Sequence, residues 1–156
     1  MQNEIFSDRT PDLSAYRQQF IEDLETLIRI PSVKASPQPN APFGAETVRA
    51  LEAFMDIAGR MGFRTQNLDG YAGFAEWGPE QSTMIGAVGH LDVVPPADWA
   101  EAFVPIMNGD TMTGRGTIDD KGPILAALYA VKYLMDQGYR PQHRIRLIVG
   151  LETALS

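Results

Sequence analysis

The chain has no cysteine, so disulfides, thiolate-bound zinc, iron–sulfur clusters and a thiol nucleophile are all excluded. Histidine is almost as scarce: His90 and His143 are the two present, so any metal site must lean on carboxylates. Basic residues are also few. Thirteen Lys and Arg against twenty Asp and Glu give a formal charge of −7 and a pI near 4.7. That balance speaks against nucleic acid as a partner, because counterion displacement needs a basic patch, and against a polybasic membrane anchor. Long apolar runs are missing too. The most apolar stretch, Ile124 to Met135, is broken by Lys132 and is too short to span a bilayer. Met1 to Phe20 carries Glu4, Asp8 and Asp12 and has no signal-like apolar core. A cytoplasmic protein without membrane or nucleic-acid partners is the expectation.

What is present suits one domain of 156 residues, with 44% hydrophobic and 21% charged residues. Thr10-Pro11 offers a helix start, and Leu13, Tyr16, Phe20, Leu24, Leu27 and Ile28 form one stripe at helical spacing. Ile30-Pro31 ends that helix, and Pro31 to Gly44 is expected as an extended loop. A second helix is predicted over Ala45 to Met61, with Gly62 as its C-terminal stop. Strands are predicted near Phe63 to Asn67 and Gly73 to Trp77 around a Leu68-Asp69-Gly70 turn, then over Thr83 to Val88 and Arg144 to Gly150. Val93 to Gly109 reads as irregular. A helix from Gly122-Pro123 to Gly138 is apolar nearly all round and should lie buried against a sheet. Helices alternating with apolar strands predict an α/β sandwich.

Two segments carry chemistry. In His90-Leu91-Asp92, an extended backbone sends residues i and i+2 to one side, so imidazole and carboxylate can converge. A metal-bound histidine usually gives its other ring N–H to a carboxylate or carbonyl. His90 as ligand and Asp92 as its orienter fits that chemistry; a strand-end histidine beside a surface aspartate is the plain alternative. The second segment, Gly114 to Gly122, places Asp119-Asp120 between glycine turns and before the buried helix. Acids there can simply complement a helix dipole. Held rigidly near an imidazole, they suit a divalent ion such as Zn²⁺ or Mn²⁺. His143 at a strand start is expected to be a surface residue. Trp99 and Phe103 fit a substrate wall or a packed loop. Arg115 fits a substrate carboxylate or pairing with a nearby acid.

Gly89-His90-Leu91-Asp92-Val93-Val94-Pro95 and Gly114-Arg115-Gly116-Thr117-Ile118-Asp119-Asp120-Lys121-Gly122-Pro123 together resemble the co-catalytic two-metal peptidases and amidohydrolases, most of all the PepV-type bacterial dipeptidases. Weaker support comes from Leu27 to Val33, Ala41-Pro42-Phe43-Gly44 and Asp69 to Gly73. The resemblance implies an α/β sandwich catalytic domain of the zinc-peptidase (phosphorylase/hydrolase-like) type. It implies His90 as a metal ligand, Asp92 as its orienter, Asp119 as the bridge between two Zn²⁺ or Mn²⁺ ions and Asp120 as a supporting neighbour. The implied reaction is hydrolysis of a dipeptide or short peptide by a metal-activated water, with a glutamate as general base.

The pattern departs from the family after Gly150. Two adjacent glutamates are expected there, a base and a ligand, whereas the chain reads Leu151-Glu152-Thr153-Ala154-Leu155-Ser156. Glu152 is the one candidate base, one position early. A small deletion, a frameshift or an imposed chain boundary would each give this ending. Residues 1–156 are therefore expected to be the N-terminal portion of a metallopeptidase catalytic domain, lacking the lid domain and later ligands. Such a fragment is expected to be weak or inactive alone and to self-associate through a truncated sheet edge. A non-catalytic remnant that binds metal or another chain, and a deacylase on the same metal core, are the alternative readings.

Overall fold

The computed structural model describes residues 11–80 and 83–152. Its elements, in chain order, are α1 (Arg17–Ile28), α2 (Ala45–Arg60), β1 (Arg64–Leu68), β2 (Ala72–Trp77), β3 (Met84–His90), β4 (Ile106–Asn108), β5 (Thr111–Thr113), α3 (Lys121–Asp136) and β6 (Arg144–Gly150).

The helical stripe expected from Leu13 onward begins as a single 3-10 turn, Ser14–Tyr16, before α1. Asp12 supplies an acceptor there, taking the Ser14 N–H at 3.0 Å; the expected capping residue, Thr10, lies outside the described residues. The helix stops where Pro31 would have to enter it. α2 follows the expected bounds closely, and Gly62 adopts φ +97° just past its end, a left-handed conformation suited to glycine.

Four strands form one mixed sheet in the order β1-β2-β6-β3. β1 and β6 each run antiparallel to β2, while β3 runs parallel to β6 with His90 opposite Gly150. The parallel pair requires a crossover, and α3 supplies it. A residue pair in register points to the same side, and Gly73, Val149 and Gly89 are in register across three strands. A Cβ on Gly73 would press on Leu51 of α2, and one on Gly89 would press on Ile124 of α3. Both helices therefore cover the same face, with α1 packed against each of them. Leu27, Ile28, Leu51, Phe54, Leu125, Leu128, Leu147 and Val149 are fully or almost fully buried in that layer. Each such aliphatic or aromatic side chain contributes about 1.5–3 kcal/mol by leaving water.

The expected sandwich is thus seen as a sheet with one helical layer among the described residues. On the other face, Val88 is 77% exposed. β3 is an edge strand of this sheet.

The segment read as irregular contains a small hairpin, β4–β5, paired from Ile106↔Thr113 to Asn108↔Thr111. Its signal was present in Asn108-Gly109-Asp110, with Gly109 at φ +62°.

A candidate metal centre at the end of the parallel strands

β3 ends at His90, at the C-terminal edge of the parallel pair, where Leu91 N–H donates to Gly150 O at 3.1 Å. Sites in open α/β sheets commonly lie beyond this edge. The chain then crosses to the Pro31–Val33 segment. Val93 N–H donates to Ser32 O at 3.0 Å, and the buried Ser32 hydroxyl donates to Leu91 O at 2.6 Å. These bonds hold His90-Leu91-Asp92 against the domain.

The opposing loop is fixed by its glycines and by Lys121. Gly116 has φ +96°, and a side chain on Gly122 would run into Thr117 O. Lys121 is 0% exposed and donates to Leu27 O and Ile30 O, each at 2.8 Å. Burial pushes its amine down to about 7, against the pull of Asp92 and Glu46, which favour the charged form. The start of α3 is thereby pinned to the end of α1, and Asp119-Asp120 immediately precedes it. The peptide bond between those two aspartates is cis.

His90 Nε2 lies 3.0 Å from Asp119 Oδ1. The imidazole is 18% exposed and the Asp119 carboxylate 86% exposed, so the pair faces outward. The other ring nitrogen, Nδ1, lies 3.0 Å from the Asp92 backbone carbonyl and 3.4 Å from its carboxylate Oδ1. The shorter contact has hydrogen-bond geometry, so the main chain of Asp92 orients the ring and its buried carboxylate is the outer partner. This refines the sequence expectation, which assigned the orienting bond to the side chain. Asp120 stands apart from the imidazole: its Oδ2 accepts the His90 backbone N–H at 3.0 Å. That carboxylate fills the space beside Gly89, where any Cβ would collide with it.

The donor set suits a divalent cation in part. A nitrogen and a carboxylate oxygen converge, and the second ring nitrogen is satisfied, as metal-binding histidines require. Among the described residues, however, no three His, Asp or Glu side chains are grouped so that they could hold one ion. Two donors leave the coordination open, where a catalytic zinc site commonly has three protein ligands.

Glu152 lies just past β6 and pairs with Lys34. It is not among the residues lining the cleft in front of His90. That cleft, about 680 Å³, is lined by His90, Trp99, Arg115 and Asp119 together with β5 and the Val93-Val94 segment. Trp99 lines this cleft and Phe103 does not. His143 is an exposed residue whose Nδ1 lies 2.8 Å from the Thr83 hydroxyl. A buried cluster missed in the sequence surrounds Glu76, which is bound by Arg64 and Arg146 on the helix-free face.

Residues 86–152, which contain both motif segments, match the model of Peptidase family M20/M25/M40. The chain is 38% identical over 140 residues to a Bacillus subtilis (strain 168) protein named "Putative dipeptidase YtjP", covering 87% of this chain and 30% of that one. It is 40% identical over 141 residues to "Putative dipeptidase SAUSA300_1697" of Staphylococcus aureus (strain USA300), covering 88% and 30%. In structure it is similar to human carnosine dipeptidase 1 (TM-score 0.74, 24% identity), covering 92% of this chain and 34% of that one. It is also similar to the M20 family metallo-carboxypeptidase Sso-CP2 of Sulfolobus solfataricus (TM-score 0.70, 22% identity), covering 86% and 31%. At these identities the solved structures establish the fold. The chain spans 30% of the length of the curated relatives it matches.

Proposed function

Because this chain belongs to the M20/M25/M40 peptidase family, we propose that it carries part of the metal site of a dipeptidase, as the N-terminal portion of a catalytic domain. The observation that carries this reading is the 3.0 Å approach of His90 Nε2 and Asp119 Oδ1 at the open end of the parallel strands. On this reading His90 and Asp119 hold divalent metal, Zn²⁺ or Mn²⁺, with Asp119 as the residue shared between two ions. Bound there, the metal would lower the pKa of a coordinated water and polarise the scissile carbonyl.

The chain's own residues have separable tasks. Asp92 fixes the tautomer and tilt of His90 through Nδ1. Asp120 holds the His90 main chain, and Lys121 holds the loop that carries Asp119. The cleft in front of them admits a short peptide. Glu152 is the candidate general base, and Lys34 engages its carboxylate in the present arrangement. A base must reach the proton it moves, so Glu152 would have to leave Lys34 to act. A second reading, a chain that binds metal without turnover, draws on that engagement and on the two-donor site. We further propose a cytoplasmic location and self-association through the β3 edge.

The test is dipeptide hydrolysis by the purified chain with Mn²⁺ or Zn²⁺, with a chelator control and a His90→Ala variant. Metal-dependent turnover lost in His90→Ala supports the dipeptidase. Folded protein that binds metal through His90 but leaves dipeptides intact supports the second reading. Unchanged metal binding in His90→Ala overturns both.

A further inference from the structure

We propose that Ser32 is a positioning residue for the metal site: it clamps the two peptide units on either side of Asp92 and so aims the His90 imidazole at Asp119. The proposal rests on the metal-site reading above and adds to it a residue outside both motif segments.

Ser32 is fully buried, and its side chain and its main chain reach the same segment. The hydroxyl donates to Leu91 O at 2.6 Å, and the carbonyl accepts the Val93 N–H at 3.0 Å. Leu91 O belongs to the peptide unit that enters Asp92, and Val93 N–H belongs to the one that leaves it. Each unit is planar, so the two bonds fix both planes at once. The second unit is trans and carries Asp92 O on the side opposite Val93 N–H. That oxygen lies 3.0 Å from His90 Nδ1. The path from Ser32 to the imidazole is therefore two hydrogen bonds across one rigid peptide.

Ser32 is itself held by a tight turn after α1. Its N–H donates to Ile30 O at 2.8 Å, and Val33 N–H donates to Pro31 O at 2.7 Å. Pro31 locks φ between them. Ile30 O also accepts from Lys121, which follows Asp119-Asp120 in the opposing loop. The turn thus meets both loops, that of His90 through Ser32 and that of Asp119 through Lys121. It is the common reference for the 3.0 Å approach of His90 Nε2 and Asp119 Oδ1. Asp120 also joins the loops, but its bond goes to the His90 main-chain N–H and leaves the ring free to rotate about its side-chain torsions. Asp92 O sets that rotation, and Ser32 sets Asp92 O. Ser32 does not line the cleft, so it acts through the ring it aims.

The two histidines make the test specific. His143, beside Thr83 at the opposite end of β3 and β6, is an internal reference. Two-bond 1H–15N spectra of the imidazoles read the aim of His90 without metal, and calorimetric titration with Mn²⁺ or Zn²⁺ reads its consequence. Thr47→Val controls for stability alone, because Thr47 is also fully buried and its hydroxyl donates to Gly44 O at 2.8 Å, outside both motif segments. Ser32→Ala should shift the His90 ring nitrogens, leave those of His143 in place and weaken metal binding about tenfold, the low end for loss of an outer partner. Thr47→Val should lose stability in urea and change neither readout. Unshifted His90 signals in Ser32→Ala, unchanged affinity for metal that His90 binds, or the same changes in Thr47→Val would each overturn the proposal. If Ser32→Ala does not fold, Pro31→Gly carries the test, since it removes no hydrogen-bond donor and frees the turn: shifted His90 signals support the proposal and unshifted ones overturn it. The two readings fail separately. Shifted His90 signals in Ser32→Ala, with metal binding equal in parent and His90→Ala, would remove the metal-site reading and leave Ser32 as the residue that aims the ring. Metal bound through His90 with equal affinity in parent and Ser32→Ala would do the reverse.

Discussion

Two carboxylates in this domain sit in opposite circumstances. Glu76, in the middle of the sheet's helix-free face, is 8% exposed and is met by Arg64 at 3.0 Å, Arg146 at 2.6 Å and Arg144 at 3.5 Å. Burial pushes its carboxyl up, but hydrogen bonds from Arg64 and Arg146 and the charge of Arg146 and Arg144 outweigh that and hold it below its usual range. Arg146 is committed further by lying over Phe74, 3.9 Å from the ring centroid. Asp119 is 86% exposed and meets one imidazole. The first carboxylate has its acceptor capacity filled by fixed cations and can only hold the sheet together. The second keeps lone pairs open beside a nitrogen whose ring is already oriented. Density of charge therefore marks structure here, and incompleteness marks the candidate site.

The sharpest way to break this contrast is Asp119→Ala or His90→Ala. Each should weaken Mn²⁺ or Zn²⁺ binding by about 100-fold or more, taking the loss from second-shell partners as a lower guide. Calorimetric titration reads this directly. Unfolding stability should change little for Asp119→Ala, because its side chain is exposed. A large stability loss with metal affinity intact would reverse the assignment.

Glu76→Gln should do the opposite, leaving metal affinity unchanged and lowering stability by about 2 kcal/mol, since the arginines would lose a charged acceptor. Urea unfolding measures it. The sign with pH follows from the depressed folded-state value: Glu76's contribution is complete above the ordinary glutamate value of 4.5 and is lost as pH falls below it. The gap in unfolding midpoint between parent and variant should narrow from about pH 5 to about pH 3. A gap that widens would show that Glu76 is not stabilised as its charged form.

The smallest effect on stability is expected from Val88→Lys, within about 0.5 kcal/mol, because Val88 already faces solvent. If the β3 edge drives association, sedimentation should show oligomers in the parent and fewer in the variant, since an edge lysine blocks strand pairing. Identical profiles would place association elsewhere or show that there is none.

Much of the local structure could be read before the fold was known. α2 follows from its apolar stripe, α3 from being apolar nearly all round, and β3 and β6 from short apolar runs ending in glycine. The sequence reading also paired His90 with Asp92, because i, i+2 geometry is short-range, whereas Asp119 joined them only through the family resemblance. It missed the β4–β5 hairpin, where two three-residue strands are too short to show alternation. It also gave the orienting bond to the Asp92 side chain, since extended geometry says which way a side chain points but not whether a carbonyl lies nearer. Glu76 escaped notice because its partners come from β1 and β6, up to 70 residues away.

By itself, then, the sequence determined the absence of thiol chemistry, the acidic balance, the order of helices and strands and the two motif loops. These depend on composition and on periodicities within a few residues. Tertiary structure alone decided that the helices share one face, that Lys34 takes Glu152, that Arg115 lies over the Trp99 ring and that His90 meets Asp119. Each of these depends on which distant segments the sheet register and the α3 crossover bring side by side, and no local pattern encodes that choice.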